Sequence, residues 1–399
     1  MAKLNPCFSR LKNAYIFAII DKKLIELKKN LPSADLINLS IGDITLPLAP
    51  SIVKAIQEAT QEMGTMEGIK GYSPTYGYDF LRSAIAKQEY ANYAILPEEI
   101  YISDGTNSDA VHIQELLHPL STIAIPDPTY PAYFNSSVIG GKKKIVSLPC
   151  LPENHFLPLP PQEHCDVIYI CSPNNPTGTA MTRQDLTNWI AYALDHEAIL
   201  LIDSAYAAFI TSENVPKSIY EIPGSKECAI EFKSFSKSAG FTGLRCAYSV
   251  IPHTVMGNLK RKRYPLYKLW EKRQDIKFNG VAYPIQRGAA ASLSPSGLQE
   301  TQKQVHFYLS LAKRLKEGLE KLGQTCWGAK DSPYIWWKTP NGTSSWQFFD
   351  HLLNTCQLIA LPGIGFGACG EGYIRLSAFS SEDKISLALE RINNKVIGI

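Results

Sequence analysis

The chain has 399 residues, 45% of them hydrophobic, enough to bury a large core over two or three domains. Its 40 basic and 37 acidic residues leave a formal net charge of +3, too balanced to hold nucleic acid or an anionic membrane by charge alone. Nine cysteines with no CxxC pair argue against a disulfide framework and for a reducing compartment, and no run approaches the ~18 apolar residues of a membrane-spanning helix.

In chain order, Met1-Ala2-Lys3-Leu4-Asn5-Pro6 soon meets Asp21-Lys22-Lys23 without a secretory apolar core, so a soluble cytoplasmic protein is expected. Apolar spacing predicts a helix over 81–91. Short β-branched runs at 100–103, 122–125, 167–171, 199–202, 228–233 and 246–251 read as buried strands, several ending in Gly, Pro, Asp or Asn. Thr182-Arg183-Gln184-Asp185 is a capping-box start for a helix reaching His196. Alternation of strand, loop and helix predicts an α/β fold with a mostly parallel sheet. The basic cluster Lys260-Arg261-Lys262-Arg263 reads as a solvated helix face.

After Ala289 the pattern changes to a long amphipathic helix over 301–322, short strands near 334–338 and 372–376, and a last helix from Ser381. The expected division is 1–48 joining the small domain, 49–288 as the large domain, and 289–399 as a smaller α+β domain. Gly363-Ile364-Gly365-Phe366-Gly367 joins no evident strand to a helix and is not a dinucleotide site. His164-Cys165 and His351 with Cys356 lack metal-ligand spacing, so no metal is expected.

In open α/β sheets ligands collect beyond the carboxyl ends of the strands. Gly105 follows one predicted strand, Tyr130 another, Asn174 and Asn175 a third; Asp203 ends a fourth, and Lys237 lies just past a fifth. Ser234-Phe235-Ser236-Lys237, followed by Gly240-Phe241-Thr242-Gly243-Leu244-Arg245, offers an amine for an imine and two hydroxyls with a guanidinium for a phosphate. An anionic aldehyde cofactor needs that set, although a lysine in a serine-rich loop is more often a solvated surface residue. Asp203 ends an apolar run where an unpaired carboxylate is costly to bury. A pyridinium nitrogen resolves that cost; a helix N-cap is the alternative.

Tyr206 and Asn175 are candidate hydrogen-bond donors to a phenolic oxygen, while Ser172-Pro173-Asn174-Asn175-Pro176-Thr177-Gly178 also reads as a plain turn. Tyr130 is either a stacking ring or a core aromatic. Asp104-Gly105-Thr106-Asn107 precedes a helical stretch, where backbone N–H groups suit a phosphate. Arg375, inside an apolar strand, calls for a bidentate substrate carboxylate or an internal salt bridge.

These motifs, in this order over nearly the whole chain, resemble the class I/II aminotransferases among the fold-type-I pyridoxal-phosphate enzymes, whose large domain carries a mostly parallel seven-stranded sheet. The resemblance implies Lys237 as the Schiff-base lysine, Asp203 as the pyridine-nitrogen partner, Asn175 and Tyr206 as phenolate donors and Tyr130 as the stacking ring. It implies Ser234, Ser236, Arg245 and the Gly105-Thr106-Asn107 segment as the phosphate cup, with Arg375 as the carboxylate clamp. It also implies a homodimer in which Tyr72, in Gly71-Tyr72-Ser73-Pro74, serves the neighbour's phosphate.

Within that family, residues 13–18, 38–43, 171–179 and 361–367 look most like the LL-diaminopimelate branch of chlamydial type. That implies substrate contacts from Tyr15, Gly42, Tyr130, Asn175, Asn279 and Arg375, and transamination between LL-diaminopimelate and 2-oxoglutarate. Thr75 and Asn107 stand where that branch carries an acidic residue and a lysine, and Cys246-Ala247 follows Arg245 where many relatives have a glycine. Competing expectations are an aminotransferase of different specificity, or a C–S lyase or oxidase on the same scaffold. A non-enzymatic regulator has only the basic cluster in its favour.

Overall fold

The computed structural model describes residues 2–11 and 16–396. Seven strands form the main sheet in the spatial order Ile100–Ser103, Ala247–Val250, Ala229–Ser234, Ile199–Asp203, Val167–Cys171, Ile123–Asp127, Ile145–Pro149. Ala247–Val250 runs antiparallel to both neighbours and every other pairing is parallel. Because side chains alternate across a strand, Ile168, Ile170, Leu200 and Ile202 pack on one face, against Leu186, Trp189 and Ile190 of the helix Arg183–Asp195. Val167, Tyr169, Ile199 and Leu201 pack on the other, with Tyr133 and Trp270. Helices on both faces make both sets of residues core, which is why these strands read as uninterrupted apolar runs.

Register brings the chemistry to one edge. Cys171 pairs with Asp203, Asp203 pairs with Phe232, and Ser234 lies two residues further along the same strand end. The edge strand Ile145–Pro149 has no counterpart among the predicted strands. Half of it faces solvent and it ends in proline, which an edge tolerates and a central strand does not.

The basic cluster 260–263 is not a helix face. It forms the turn and returning strand of an antiparallel hairpin, Met256–Leu259 with Lys262–Pro265. Lys260 and Arg261 take positive φ values of 52° and 66°, and Asn258 Oδ1 accepts the Arg261 N–H at 2.9 Å. Solvated charges suit a two-residue hairpin turn as well as a helix surface, so composition alone does not separate the two.

The C-terminal part builds a four-stranded sheet, Cys326–Gly328, Tyr334–Lys338, Tyr373–Ser377 and Leu361–Pro362, packed with the helices Pro295–Lys321, Ser345–Cys356 and Glu382–Val396. Ile16, Ile20, Ile37 and Leu39 from the N-terminal segment enter the same apolar cluster, and Ile37–Asn38 pairs in parallel with Leu358–Ile359. The long helix begins two turns earlier than its apolar spacing predicts. Ser294 caps it by accepting the Gly297 N–H, and Pro295 occupies the first turn, where a missing N–H is harmless. Among the described residues no helix is long and apolar enough to cross a membrane.

Candidate active site

The strand Ala229–Ser234 stops at Ser234, whose Oγ accepts the Ser236 N–H at 3.0 Å and caps a single helical turn, Phe235–Ser238. That turn carries Lys237 into a cavity of about 390 Å³ between the large sheet and the small one. The Lys237 amine donates to the Gly42 carbonyl and stands 5.6 Å from the centre of the Phe379 ring. Burial is the main reason its pKa falls to about 8; Asp43 opposes the shift, while Arg375 and Arg245 reinforce it.

Arg245 Nη1 donates to the Thr242 carbonyl at 3.1 Å. Its other terminal nitrogen lies against Gly105, where any Cβ would collide with the guanidinium. Gly105 also has a φ of 151°, so only glycine suits this close approach. The helix Thr106–His112 starts there, and Thr106, Asn107, Ser234, Ser236 and Arg245 all line the cavity. One end of the pocket is therefore hydroxyl-rich and cationic.

Asp203 is 7% exposed. Its Oδ2 accepts the Tyr133 hydroxyl at 2.5 Å and its Oδ1 accepts the Ala205 N–H at 3.1 Å. Burial pushes the carboxyl up, and the two donors pull it back. Tyr133 is absent from the candidates drawn from sequence. It stacks on Tyr169 at 4.7 Å and meets Tyr130 edge-to-face at 5.7 Å. It follows Tyr130 by three residues at the start of the helix Ala132–Ile139, and in the sequence nothing separates it from a core aromatic.

The clamp side comes from the small sheet. Arg375 Nη1 donates to Asn175 Oδ1 at 2.7 Å, and Nη2 donates to the Ser40 carbonyl. Since the Asn175 carbonyl faces Arg375, its NH₂ is the group left for the pocket. The guanidinium lies 4.4 Å from the Tyr334 ring centre and 5.1 Å from that of Phe366. Tyr206 and Tyr334 share a 2.6 Å hydroxyl contact, and burial raises both phenols above their ordinary pKa.

Gly42, Thr106, Asn107, Tyr130, Asn175, Asp203, Tyr206, Ser234, Ser236, Lys237, Arg245 and Arg375 thus surround one cavity, with Gly105 behind Arg245. Tyr72 and Asn279 do not line it. Tyr72 is 88% exposed and Asn279 is also exposed, on neighbouring loops joined by Gly280 against the Ser73-Pro74 backbone and by the Tyr76 hydroxyl on Asp275 at 3.0 Å. Tyr15 lies outside the described residues.

One cavity thus brings together the half-buried Lys237, the buried carboxylate of Asp203 at a strand end and the buried Arg375 of the small sheet. The chain matches the family "Aminotransferase class I and II" over residues 34–392 and belongs to it; it is an aminotransferase of the fold-type-I architecture. Among its relatives are an LL-diaminopimelate aminotransferase of Bacteroides fragilis, 43% identical with 99% of this chain and 100% of the relative covered, and one of Lawsonia intracellularis, 44% identical with both chains fully covered. The solved L,L-diaminopimelate aminotransferase of Chlamydomonas reinhardtii superposes with a TM-score of 0.93 at 37% identity, covering 100% of this chain and 99% of that one.

Proposed function

We propose that the protein binds pyridoxal 5'-phosphate and transfers the amino group of LL-diaminopimelate to 2-oxoglutarate, as a homodimer in a reducing cytoplasm. The observation that carries this reading is the convergence of Lys237, Asp203 and Arg375 on one cavity in a chain similar along its whole length to diaminopimelate aminotransferases. The residues fit the cofactor chemically. Asp203 is a buried carboxylate suited to a ring N–H cation, Gly105 leaves Arg245 room at a hydroxyl-rich pole suited to a phosphate, and Lys237 is an amine whose pKa burial lowers to about 8.

When bound, pyridoxal phosphate supplies an electron sink for the pair released at the substrate's α-carbon. Lys237 would hold the cofactor through its amine, and its nitrogen, when free and neutral, would take up and return the proton of the substrate's α-carbon. Asp203, held by the Tyr133 hydroxyl, would keep the ring nitrogen's proton in place. Tyr206 and Asn175 would donate to the phenolic oxygen, and Tyr130 would cover the ring. Ser234, Ser236, Arg245 and the backbone from Gly105 to Asn107 hold the phosphate. Arg375 clamps the α-carboxylate while the Gly42 carbonyl faces the amine. Tyr72 and Asn279, exposed on one surface with Met66 at 86% and Ile69 at 68% exposure nearby in the chain, reach the partner's pocket. Thr75 and Asn107 replace an acidic and a basic residue together, so the distal zwitterion of the substrate meets neutral polar groups without a net change of charge.

The test is a substrate panel on the purified holoenzyme, with glutamate formed from 2-oxoglutarate as the readout. LL-diaminopimelate is expected to give the highest kcat/KM among diaminopimelate, lysine, aspartate and aromatic amino acids. A higher value for another donor overturns the substrate, and release of ammonia and pyruvate without glutamate indicates lyase chemistry. Borohydride reduction is expected to fix the cofactor's mass on the peptide carrying Lys237, and Lys237→Ala to abolish that label.

A further inference from the structure

We propose that Tyr334 is a positioning residue that sets the donor direction of Tyr206 through its hydroxyl and the plane of Arg375 through its ring. The inference rests on the reading of Tyr206 as a donor to the cofactor and of Arg375 as the carboxylate clamp.

Tyr334 opens the strand Tyr334–Lys338, where the run Tyr-Ile-Trp-Trp looks like ordinary core. In the antiparallel register Tyr334 faces Ser377 and Trp336 faces Arg375, so residues 334 and 375 are diagonal neighbours on the same side of the sheet. The Tyr334 ring lies under the Arg375 guanidinium, with its centre 4.4 Å away, while Nη1 of that guanidinium is spent on Asn175 at 2.7 Å. A flat cation over an aromatic face is held in plane as well as in place. One ring therefore fixes the orientation from which the arginine meets a carboxylate.

The hydroxyl end does a separate task. It sits 2.6 Å from the Tyr206 hydroxyl, and either oxygen can be the donor. Burial keeps both phenols protonated at neutral pH, so each has one proton to give. Once Tyr206 gives its proton to an oxygen in the pocket, its own oxygen can only accept, and Tyr334 must be the donor. Hydrogen bonds in such a chain polarise one another, so the Tyr334 proton strengthens the bond that Tyr206 makes beyond it. Gly42 leaves the room this requires: a Cβ there would overlap the Tyr334 hydroxyl, and the carbonyl of the same residue takes the Lys237 amine.

The two tasks separate in two variants of the holoenzyme, Tyr334→Phe and Tyr334→Leu, compared with Tyr206→Phe. Tyr334→Phe keeps the ring and loses the donor. A weaker bond from Tyr206 leaves the cofactor's phenolic oxygen holding its neighbouring proton more tightly, so the pH midpoint of the visible band is expected to rise by about 0.2–0.6 units, less than in Tyr206→Phe. Cofactor release by dialysis is expected to quicken by about two- to fivefold, with KM for both carboxylate substrates changed by less than about twofold. In the Tyr206→Phe background the same change is expected to add no further shift. Tyr334→Leu removes the ring as well and is expected to raise KM by about tenfold or more over Tyr334→Phe. An unmoved midpoint in Tyr334→Phe, an equal shift with and without the Tyr206 hydroxyl, or an unchanged KM in Tyr334→Leu overturns the proposal. A wild-type protein that takes up no pyridoxal phosphate overturns the functional reading beneath it instead.

Discussion

Asp109 shows how the site region couples to pH at the scale of one residue. It is 2% exposed in the helix Thr106–His112, and its Oδ2 accepts the Ser103 hydroxyl at 2.6 Å. Burial lifts its pKa from 3.8 to about 7, against the pull of the hydrogen bond from Ser103. Between those values the folded protein retains a proton that the unfolded chain has released, so this carboxyl's contribution is full below pH 3.8 and is lost as pH rises through about 7. Denaturant unfolding of the apoprotein from pH 5 to 8 is expected to show stability falling by at most about 1.4 kcal/mol per pH unit from this group. Asp109→Asn, which keeps the shape without the charge, is expected to flatten that slope; an equally steep variant would assign the effect elsewhere. The same physics made parts of the site legible in sequence. Asp203 and Arg375 are conspicuous because a charge in an apolar strand demands a partner, and Lys237 because hydroxyls and an arginine surround it. Tyr133 and Tyr334 are not conspicuous, because a buried phenol in an aromatic-rich stretch looks like core until its hydroxyl has an address.

At the scale of elements, the helix Arg183–Asp195 is a case where local sequence and tertiary packing agree. Thr182 Oγ1 accepts the Asp185 N–H at 3.2 Å, and Asp185 Oδ2 accepts the Thr182 N–H at 2.8 Å, closing the capping box read from the sequence. Thr182→Ala is expected to lower stability by about 1 kcal/mol in equilibrium unfolding while leaving kcat and KM unchanged, because the helix covers the sheet face opposite Tyr133 and donates nothing to the cavity. A loss of activity without a loss of stability would contradict that division. Central strands such as Val167–Cys171 and Ile199–Asp203 were readable because both faces are buried. The edge strand Ile145–Pro149, half in water, lacks that signature. The apolar spacing starts the long helix at 301, yet the helix begins at Pro295, where Ser294 takes up the Gly297 N–H as its cap. The basic segment at 260–263 needed backbone conformation, not charge, to be placed in a hairpin.

At the scale of the molecule, the cavity gathers Lys237, Asp203, Arg245 and Arg375 but leaves Tyr72 and Asn279 on an outer surface. Sequence motifs carry no mark of which subunit a side chain serves, since that depends on a surface formed only after folding. If Tyr72 acts across a twofold interface, defects in Lys237 and Tyr72 complement each other in mixed dimers. Lys237→Ala subunits have no working pocket but offer an intact Tyr72, and Tyr72→Ala subunits offer the reverse. A hybrid holds one pocket with both defects and one with neither. With equal amounts of the two variants and free exchange of subunits, half the dimers are hybrids with one sound pocket of two, so activity at limiting cofactor is expected to climb toward about a quarter of wild type. If Tyr72 served its own pocket, every site in the hybrid would carry one defect and mixing would yield only the average of the two parents. Recovery therefore reports on the direction in which Tyr72 points across the assembly.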